Sequence, residues 1–272
     1  MARLLSAVVS VFLVLGSVPT YASEASDTLL SALGMERMVE LMRLEGLEYA
    51  VELGDEMLPG GYTENWGEIV SRVYDTEAMA VSVRRGFAKG LEGVDLAPLE
   101  QFFYSPKGST IVELELSARE AMMERAIEDA AKETARGFEL AGDDAFLLVK
   151  DFIAAGDLLE ANVTGALNSN IQFYRGLVDG GAFDLSEQDI LEDVWSQEEE
   201  TRAETRDWLY GFLIMAYMPL EPGVLESYTA LSKTPEGKAL NAALFEGFDS
   251  MYGDISYGLG LAAAREMMAE DI

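Results

Sequence analysis

Apolar residues recur at spacings of three and four along most of the chain, and no long stretch alternates apolar with polar side chains. The first spacing marks one face of an α-helix, whereas alternation would indicate a half-buried strand. The pattern therefore predicts an all-α fold, a multi-helix bundle. Its first two helices are expected over residues 27–33 and 35–57, with Gly34 as the break between them. The apolar stripe of the second helix consists of Met35, Met38, Val39 and Met42.

Glycine, proline and short polar side chains mark the following boundaries. The run 59–61, Pro-Gly-Gly, ends the second helix. Asp75 or Thr76 is placed to cap a helix that carries Met79, and Asp95 is placed to cap a short helix. These signals predict several short helices between residues 64 and 104.

Ser105 and Pro106 combine an N-cap side chain with a proline suited to the first helical turn. They predict the start of a long helix that runs to about residue 138. Thr234 and Pro235 form a second version of this start, again followed by glycine two positions later. Helix capping explains the motif better than anion binding does, because the hydroxyl already accepts from one of the free amides and proline removes another.

The order of breaks and caps in the first half recurs in the second half, which predicts an internal repeat. The corresponding features are Gly34 with Gly156, Gly60-Gly61 with Gly180-Gly181, Trp66 with Trp195, and Ser105-Pro106 with Thr234-Pro235. We expect two related helical units, residues 23–140 and 141–272, joined near residues 142–144 and packed on each other.

The N-terminus has the pattern of a secretory signal peptide over residues 1–22. Arg3 precedes an apolar stretch at 4–15, and small residues around Ala22 fit a cleavage site after that residue. The stretch is shorter than the roughly 20 residues that span a bilayer, and a lipid anchor would need a cysteine, of which the chain has none. We expect a periplasmic protein without a transmembrane anchor after cleavage, or alternatively a secreted one.

The amino-acid composition excludes several classes of partner, catalytic mechanism and metal site. The chain has 49 acidic and 19 basic side chains, a net charge of −30, which disfavours nucleic acid as a partner. It contains neither histidine nor cysteine, so Ser-His-Asp triads, cysteine nucleophiles and the common zinc sites are excluded. No segment fits a calcium-binding EF-hand loop. We therefore predict no cofactor and no metal site.

The string at 102–108, Phe-Phe-Tyr-Ser-Pro-Lys-Gly, and its second version at 231–238 resemble the signature of a bacterial exported family, domain of unknown function 2059. The first helices, with Leu29-Leu30 and Gly34-Met35, are also similar to that family. In the second string, Leu-Ser-Lys replaces the aromatic run. The resemblance implies a helical periplasmic domain, apparently in two tandem copies, and it brings no activity and no catalytic residues.

The segment 208–220 is apolar all the way round, which is typical of a helix at the centre of a fold or of a surface that something else covers. Both interpretations stay open at this point. In the second one, the segment accepts an apolar ligand or an envelope protein partner, and this is our preferred non-enzymatic function. The candidate binding residues are Trp208, Tyr210, Phe212, Met215, Tyr217 and Met218.

An enzymatic alternative would rest on carboxylates, since histidine and cysteine are both absent. Glu113, Glu120 and Glu124 fall on one face of the predicted long helix, and paired carboxylates carry out glycoside hydrolysis. The alternative function is therefore a glycoside hydrolase acting on envelope polysaccharide. A purely structural or self-associating role is a third possibility, and the sequence does not determine an oligomeric state.

Overall fold

The computed structural model describes residues 20–269, with side chains from 24 to 268, and its ordered elements in that range are all helices. The predicted all-α fold is confirmed. The predicted signal peptide lies outside the described residues except for its last three positions, with which the first helix begins. The first seven helices are α1 Thr20–Ala32, α2 Met35–Met57, α3 Glu64–Val73, α4 Thr76–Gly90, α5 Ala97–Phe103, α6 Pro106–Met122 and α7 Arg125–Ala141.

A break at Gly142, which has a positive φ of 64°, separates these helices from the rest. The chain resumes at once because the Asp143 carboxylate accepts a hydrogen bond from the amide of Ala145 and caps the next helix. The remaining helices are α8 Asp144–Gly156, α9 Leu158–Asp179, α10 Glu187–Ser196, α11 Glu198–Tyr217, α12 Val224–Ser232 and α13 Pro235–Ala269.

Most helix starts follow the predicted caps. The Asp75 carboxylate accepts from the amide of Ala78 at 2.9 Å, so Asp75 and not Thr76 caps α4. The Ser105 hydroxyl accepts from the Gly108 amide at 3.2 Å at the start of α6. Asp95 accepts from an amide as well, but it lies one position before the N-cap of α5.

The predicted long helix from Pro106 to about residue 138 is wrong. Its path is interrupted at Met123 and Glu124, where Glu124 has an extended backbone with φ −78° and ψ 114°. The two pieces, α6 and α7, both pack against α11. The turn lets the chain change direction, so that α6 and α7 can each pack against α11. The sequence has no glycine or proline at the break, and we attribute the break to this packing.

Helix α13 passes through the middle of the fold and packs closely against α4 and α9. Glycines make this possible. A Cβ atom on Gly86 of α4 would lie 2.6 Å from the Cα of Gly247 of α13, and one on Gly176 of α9 would lie 2.3 Å from the carbonyl oxygen of Tyr257. The backbones of these helices therefore touch, as small residues at a helix crossing allow.

The main core includes Trp66, which is completely buried and donates from its indole nitrogen to the Ala50 carbonyl oxygen at 2.7 Å. Trp195 was paired with it in the predicted repeat, but the two do not occupy corresponding places. Trp66 is near the start of α3, whereas Trp195 is near the end of α10 and is 62% exposed.

The N-terminal and C-terminal halves of the chain pack on each other, as expected. α4 lies on α13, and α11 lies on α6 and α7. Among the helices of residues 20–269, none combines the length and the apolar character that crossing a bilayer requires.

Candidate functional site

A cavity of about 680 Å³ lies between the two halves of the chain. Five helices supply most of its wall, α2 and α6 from the N-terminal half and α9, α11 and α13 from the C-terminal half. Most of the lining side chains are aromatic or aliphatic. A space of this size and lining matches the pockets that proteins use for small molecules, roughly 300–1,000 Å³.

The segment 208–220 serves both as a central helix and as cavity wall. Ile214 and Ala216 are buried in the core between α11 and its neighbours. Trp208, Phe212 and Tyr217, half of the predicted binding residues, line the cavity. One face of this apolar helix therefore packs against protein, and another faces the cavity.

The other three predicted binding residues lie elsewhere. Tyr210 points to the opposite side of α11 and stacks on Phe146 of α8, with ring centroids 4.7 Å apart. Met215 packs against the buried side chains that α6, α7, α8, α11 and α12 bring together, and Met218 lies in the turn after α11 with 57% of its surface exposed. The helical period explains the positions of Tyr210 and Met215. Tyr210 lies two positions from Trp208 and Phe212, and Met215 lies two positions from Tyr217, which turns each of them about 200° around the helix.

Aromatic rings cluster at the end of the cavity formed by α8, α11 and α12. The ring of Phe152 lies 4.7 Å from that of Tyr228 and 5.4 Å from that of Tyr217, centroid to centroid. All three side chains contribute to the cavity wall. Aromatic pairs at these distances fix one another's orientation, so this end of the cavity is a preformed surface.

Glu115 of α6 lies at this aromatic end and is the most unusual ionisable group of the cavity. Its Oε1 accepts a hydrogen bond from the Tyr217 hydroxyl at 2.5 Å. Burial raises the pKa of Glu115 to about 7, although the hydrogen bond from Tyr217 opposes the shift. The pKa values of Tyr217 and Tyr228 are also raised, first by burial and then by the nearby Glu115 charge. Near neutral pH this carboxyl group is therefore part protonated and part ionised.

A second polar group of the wall is already neutralised within the protein. Glu45 of α2 accepts two hydrogen bonds from the Arg119 guanidinium, at 2.8 and 2.6 Å. The same guanidinium lies 6.0 Å from the centroid of the Trp208 ring, a cation-π distance. This paired arrangement ties α2, α6 and α11 together along the cavity.

Asp249 of α13 is a third acid on the wall. Burial, assisted by the nearby charge of Glu246, raises the pKa of Asp249 above its ordinary value. Its Oδ1 lies close to Gly165 of α9, where a Cβ atom would approach it to 2.6 Å. Asparagine and serine side chains of α9 and α13 complete the polar part of the wall, Asn162, Ser169, Asn170, Asn241 and Ser256.

The carboxylates that the sequence offered as catalytic candidates lie outside the cavity wall. Glu113 and Glu120 both bind Arg37 on the surface, at 2.9 and 2.6 Å. Arg37 lowers the pKa of Glu113, which is the effect of a surface ion pair and not of a catalytic pocket. Glu124 lies in the turn after α6. Their shared face is the solvent side of the helix.

The chain was compared with known proteins as a whole. No family model, no curated protein and no solved structure matches it. The resemblance to domain of unknown function 2059 therefore stays a prediction, and the cavity itself carries the functional argument. Within residues 20–269, no three acidic side chains converge in a way that would hold a metal ion.

Sequence reasoning missed the parts of the wall that α2, α9 and α13 supply. Met38 and Met42 were interpreted as core residues, yet they also line the cavity. Glu115 was hidden among 49 acidic residues, although it lies two positions from Glu113. The pattern that could have identified Glu115 is its position on the apolar side of α6, opposite to Glu113. The buried residues Ile111, Leu116 and Ala118 belong to that side.

Proposed function

We propose that this chain is an exported, periplasmic binding protein that holds one small, largely apolar molecule between its two halves. The observation that carries the proposal is the cavity of about 680 Å³ with its aromatic wall. Its volume favours a small molecule over a partner helix, because a partner helix needs a long open groove. Trp208, Phe212 and Tyr217 provide the apolar contacts on α11.

The proposal of export rests on the pattern of residues 1–22. It predicts that the protein recovered from its own bacterium begins at Ser23. Intact-mass measurement of the periplasmic and extracellular fractions tests this directly. Recovery of the full 272-residue chain from the cell interior would contradict it.

We also propose that the two halves descend from one duplicated unit, which places the cavity at the junction of the copies. The pattern of helix contacts supports this. α1 contacts α2, α4 and α5, which are the second, fourth and fifth helices of the first half. α8 contacts α9, α11 and α12, which are the second, fourth and fifth helices of the second half. α4 of the first half packs on α13 of the second, while α11 of the second packs on α6 and α7 of the first. The fourth helix of each half, α4 or α11, thus packs against the last helices of the other half.

The turns before α6 and α13 support the duplication at atomic detail. The Ser105 hydroxyl accepts from the Gly108 amide and donates to the Phe102 carbonyl oxygen. The Thr234 hydroxyl accepts from the Gly237 amide and donates to the Leu231 carbonyl oxygen. In each turn a Cβ atom on the glycine would collide with that same carbonyl oxygen, at 2.2 and 2.0 Å. The glycine is thus required by the close approach of the preceding helix.

Native mass spectrometry of the protein purified gently from its own envelope tests the binding function. We expect a stoichiometric extra mass that denaturation removes. Ala166→Phe on the cavity wall of α9 should abolish it by filling the space, whereas Asn168→Phe on the exposed side of the same helix should retain it. Ligand mass that persists in Ala166→Phe would overturn the assignment of the cavity, and a wild-type protein without extra mass would count against ligand binding.

Glycoside hydrolysis remains the second candidate, now with a different acid. A partly protonated carboxyl group with a pKa of about 7 is what a general acid requires, and Glu115 has that property in a cavity that also contains Asp249. Release of reducing ends from envelope polysaccharide by the wild type, lost in Glu115→Gln, would support it. Equal release by both proteins would remove it.

A further inference from the structure

The charges on the cavity wall do not balance. Three acids face the cavity, Glu45, Glu115 and Asp249, and among the described residues Arg119 is the one basic side chain of the wall. Arg119 is committed to Glu45 through two hydrogen bonds. Glu115 and Asp249 are therefore left without a cation, and a desolvated carboxylate without a counter-ion is costly.

Glu115 is also held in a defined position. The Tyr217 hydroxyl donates to Oε1, so that the second carboxylate oxygen remains for another partner. The rings of Phe152, Tyr217 and Tyr228 line this end of the cavity, and the Phe152 ring contacts both tyrosine rings. Aromatic faces beside an acid attract organic cations, because the ring quadrupole and the carboxylate both favour positive charge.

We propose that the ligand is a small amine, a mostly apolar molecule with one protonated amino group, whose ammonium pairs with Glu115 among the aromatic rings. This inference rests on the proposed binding function and names the class of its ligand. The apolar remainder of the molecule lies along Phe212, Leu213 and Leu244. The net charge of −30 attracts a cation to the protein and repels fatty acids and other anions.

A matched set of probes tests the class of ligand. Decylamine, decanol and decanoate share one alkyl chain and differ in the charge of the polar end. Their binding to the full chain is measured at pH 8 by calorimetry and by tryptophan fluorescence. The fluorescence is recorded in a Trp195→Phe background, in which Trp208 on the cavity wall and the buried Trp66 remain. We expect decylamine to bind at least about tenfold more tightly than decanol, and decanoate to bind weakest, because a charged hydrogen bond adds to the shared apolar contact.

Glu115→Gln isolates the carboxylate while keeping the shape and an oxygen that accepts from Tyr217. We expect it to lower the affinity for decylamine at least about tenfold and to leave that for decanol nearly unchanged. Glu113→Gln is the matched control, since it makes the same change on the same helix at a surface position paired with Arg37. Circular dichroism verifies that each variant is folded.

The outcomes separate this inference from the proposed function. Equal binding of decylamine and decanol would overturn the amine and leave an apolar cavity in place. Loss of decylamine binding in Asp249→Asn but not in Glu115→Gln would overturn the pairing with Glu115. If none of the three probes binds, the amine proposal fails, and only the mass of the native complex then decides whether the cavity holds a ligand of another class.

Discussion

At the scale of single residues, Glu115 makes folding sensitive to pH. Its pKa in the folded protein is about 7, against an ordinary value of 4.5. Because the folded value is the higher one, the stability linked to the protonated group is fully present below about pH 4.5 and is lost as the pH rises through about 7. The shift corresponds to an upper bound of about 3 kcal/mol in the free energy of unfolding.

We therefore expect Glu115→Gln to be more stable than the wild type at pH 8 by roughly 1–3 kcal/mol, with a smaller difference at pH 5. Urea unfolding followed by circular dichroism at both pH values measures it. In Glu113→Gln the difference from the wild type should hardly change between these pH values, because Arg37 lowers the pKa of Glu113 and the group is ionised throughout. A constant difference for Glu115→Gln as well would show that its carboxyl group is not desolvated.

At the scale of helices, close crossings depend on single glycines. A Cβ atom at Gly86 meets the backbone of α13 at 2.6 Å, and a backbone atom cannot turn aside as a flexible side chain does. We expect Gly86→Ala to lower the free energy of unfolding by roughly 1–3 kcal/mol because α4 and α13 must separate. Thermal and urea unfolding of the purified variant provide the measurement.

Gly137→Ala is the matched control for this prediction. Gly137 is an exposed residue inside α7 with no atom within 4 Å of an added Cβ. Alanine at such a position should raise the free energy of unfolding by roughly 0.5–1 kcal/mol, because it restricts the unfolded chain. Two substitutions of the same chemistry should therefore have opposite signs, and a stabilising Gly86→Ala would contradict the close crossing.

The helices themselves were largely predictable, because their boundaries depend on neighbouring residues. Ser105 with Pro106, Asp75 and the 59–61 turn each mark an end through local hydrogen bonds or backbone preference. The break at Met123 could not be predicted, since no residue there disfavours a helix and the packing of α6 and α7 on α11 imposes it. Local chemistry sets most boundaries, and tertiary contact sets the remainder.

At the scale of the whole molecule, the cavity was beyond sequence analysis. Its wall combines Met38 of α2, Glu115 of α6 and Tyr252 of α13, which are far apart along the chain. The sequence predicts only Trp208, Phe212 and Tyr217 of the cavity wall as binding residues, because they belong to an unusually apolar segment. Periodicity identifies the buried face of each helix, but it does not tell whether two buried faces meet or leave a space between them.

The interlocked halves predict how the molecule folds. Since α13 fills the core beside α4 and α11 rests on α6 and α7, neither half contains the partner that its fourth helix requires. Separate fragments of residues 20–142 and 143–272 should each lack a cooperative unfolding transition, and mixing them should restore one as a 1:1 complex. The division falls at Gly142, in the turn between α7 and α8, where an added Cβ has no neighbour. The intact chain with a flexible insertion at Gly142 is the control, and it should unfold in one transition. Cooperative unfolding of the first fragment alone would mean that its helices form a complete core. The cavity would then lie at the interface of two independently folding domains.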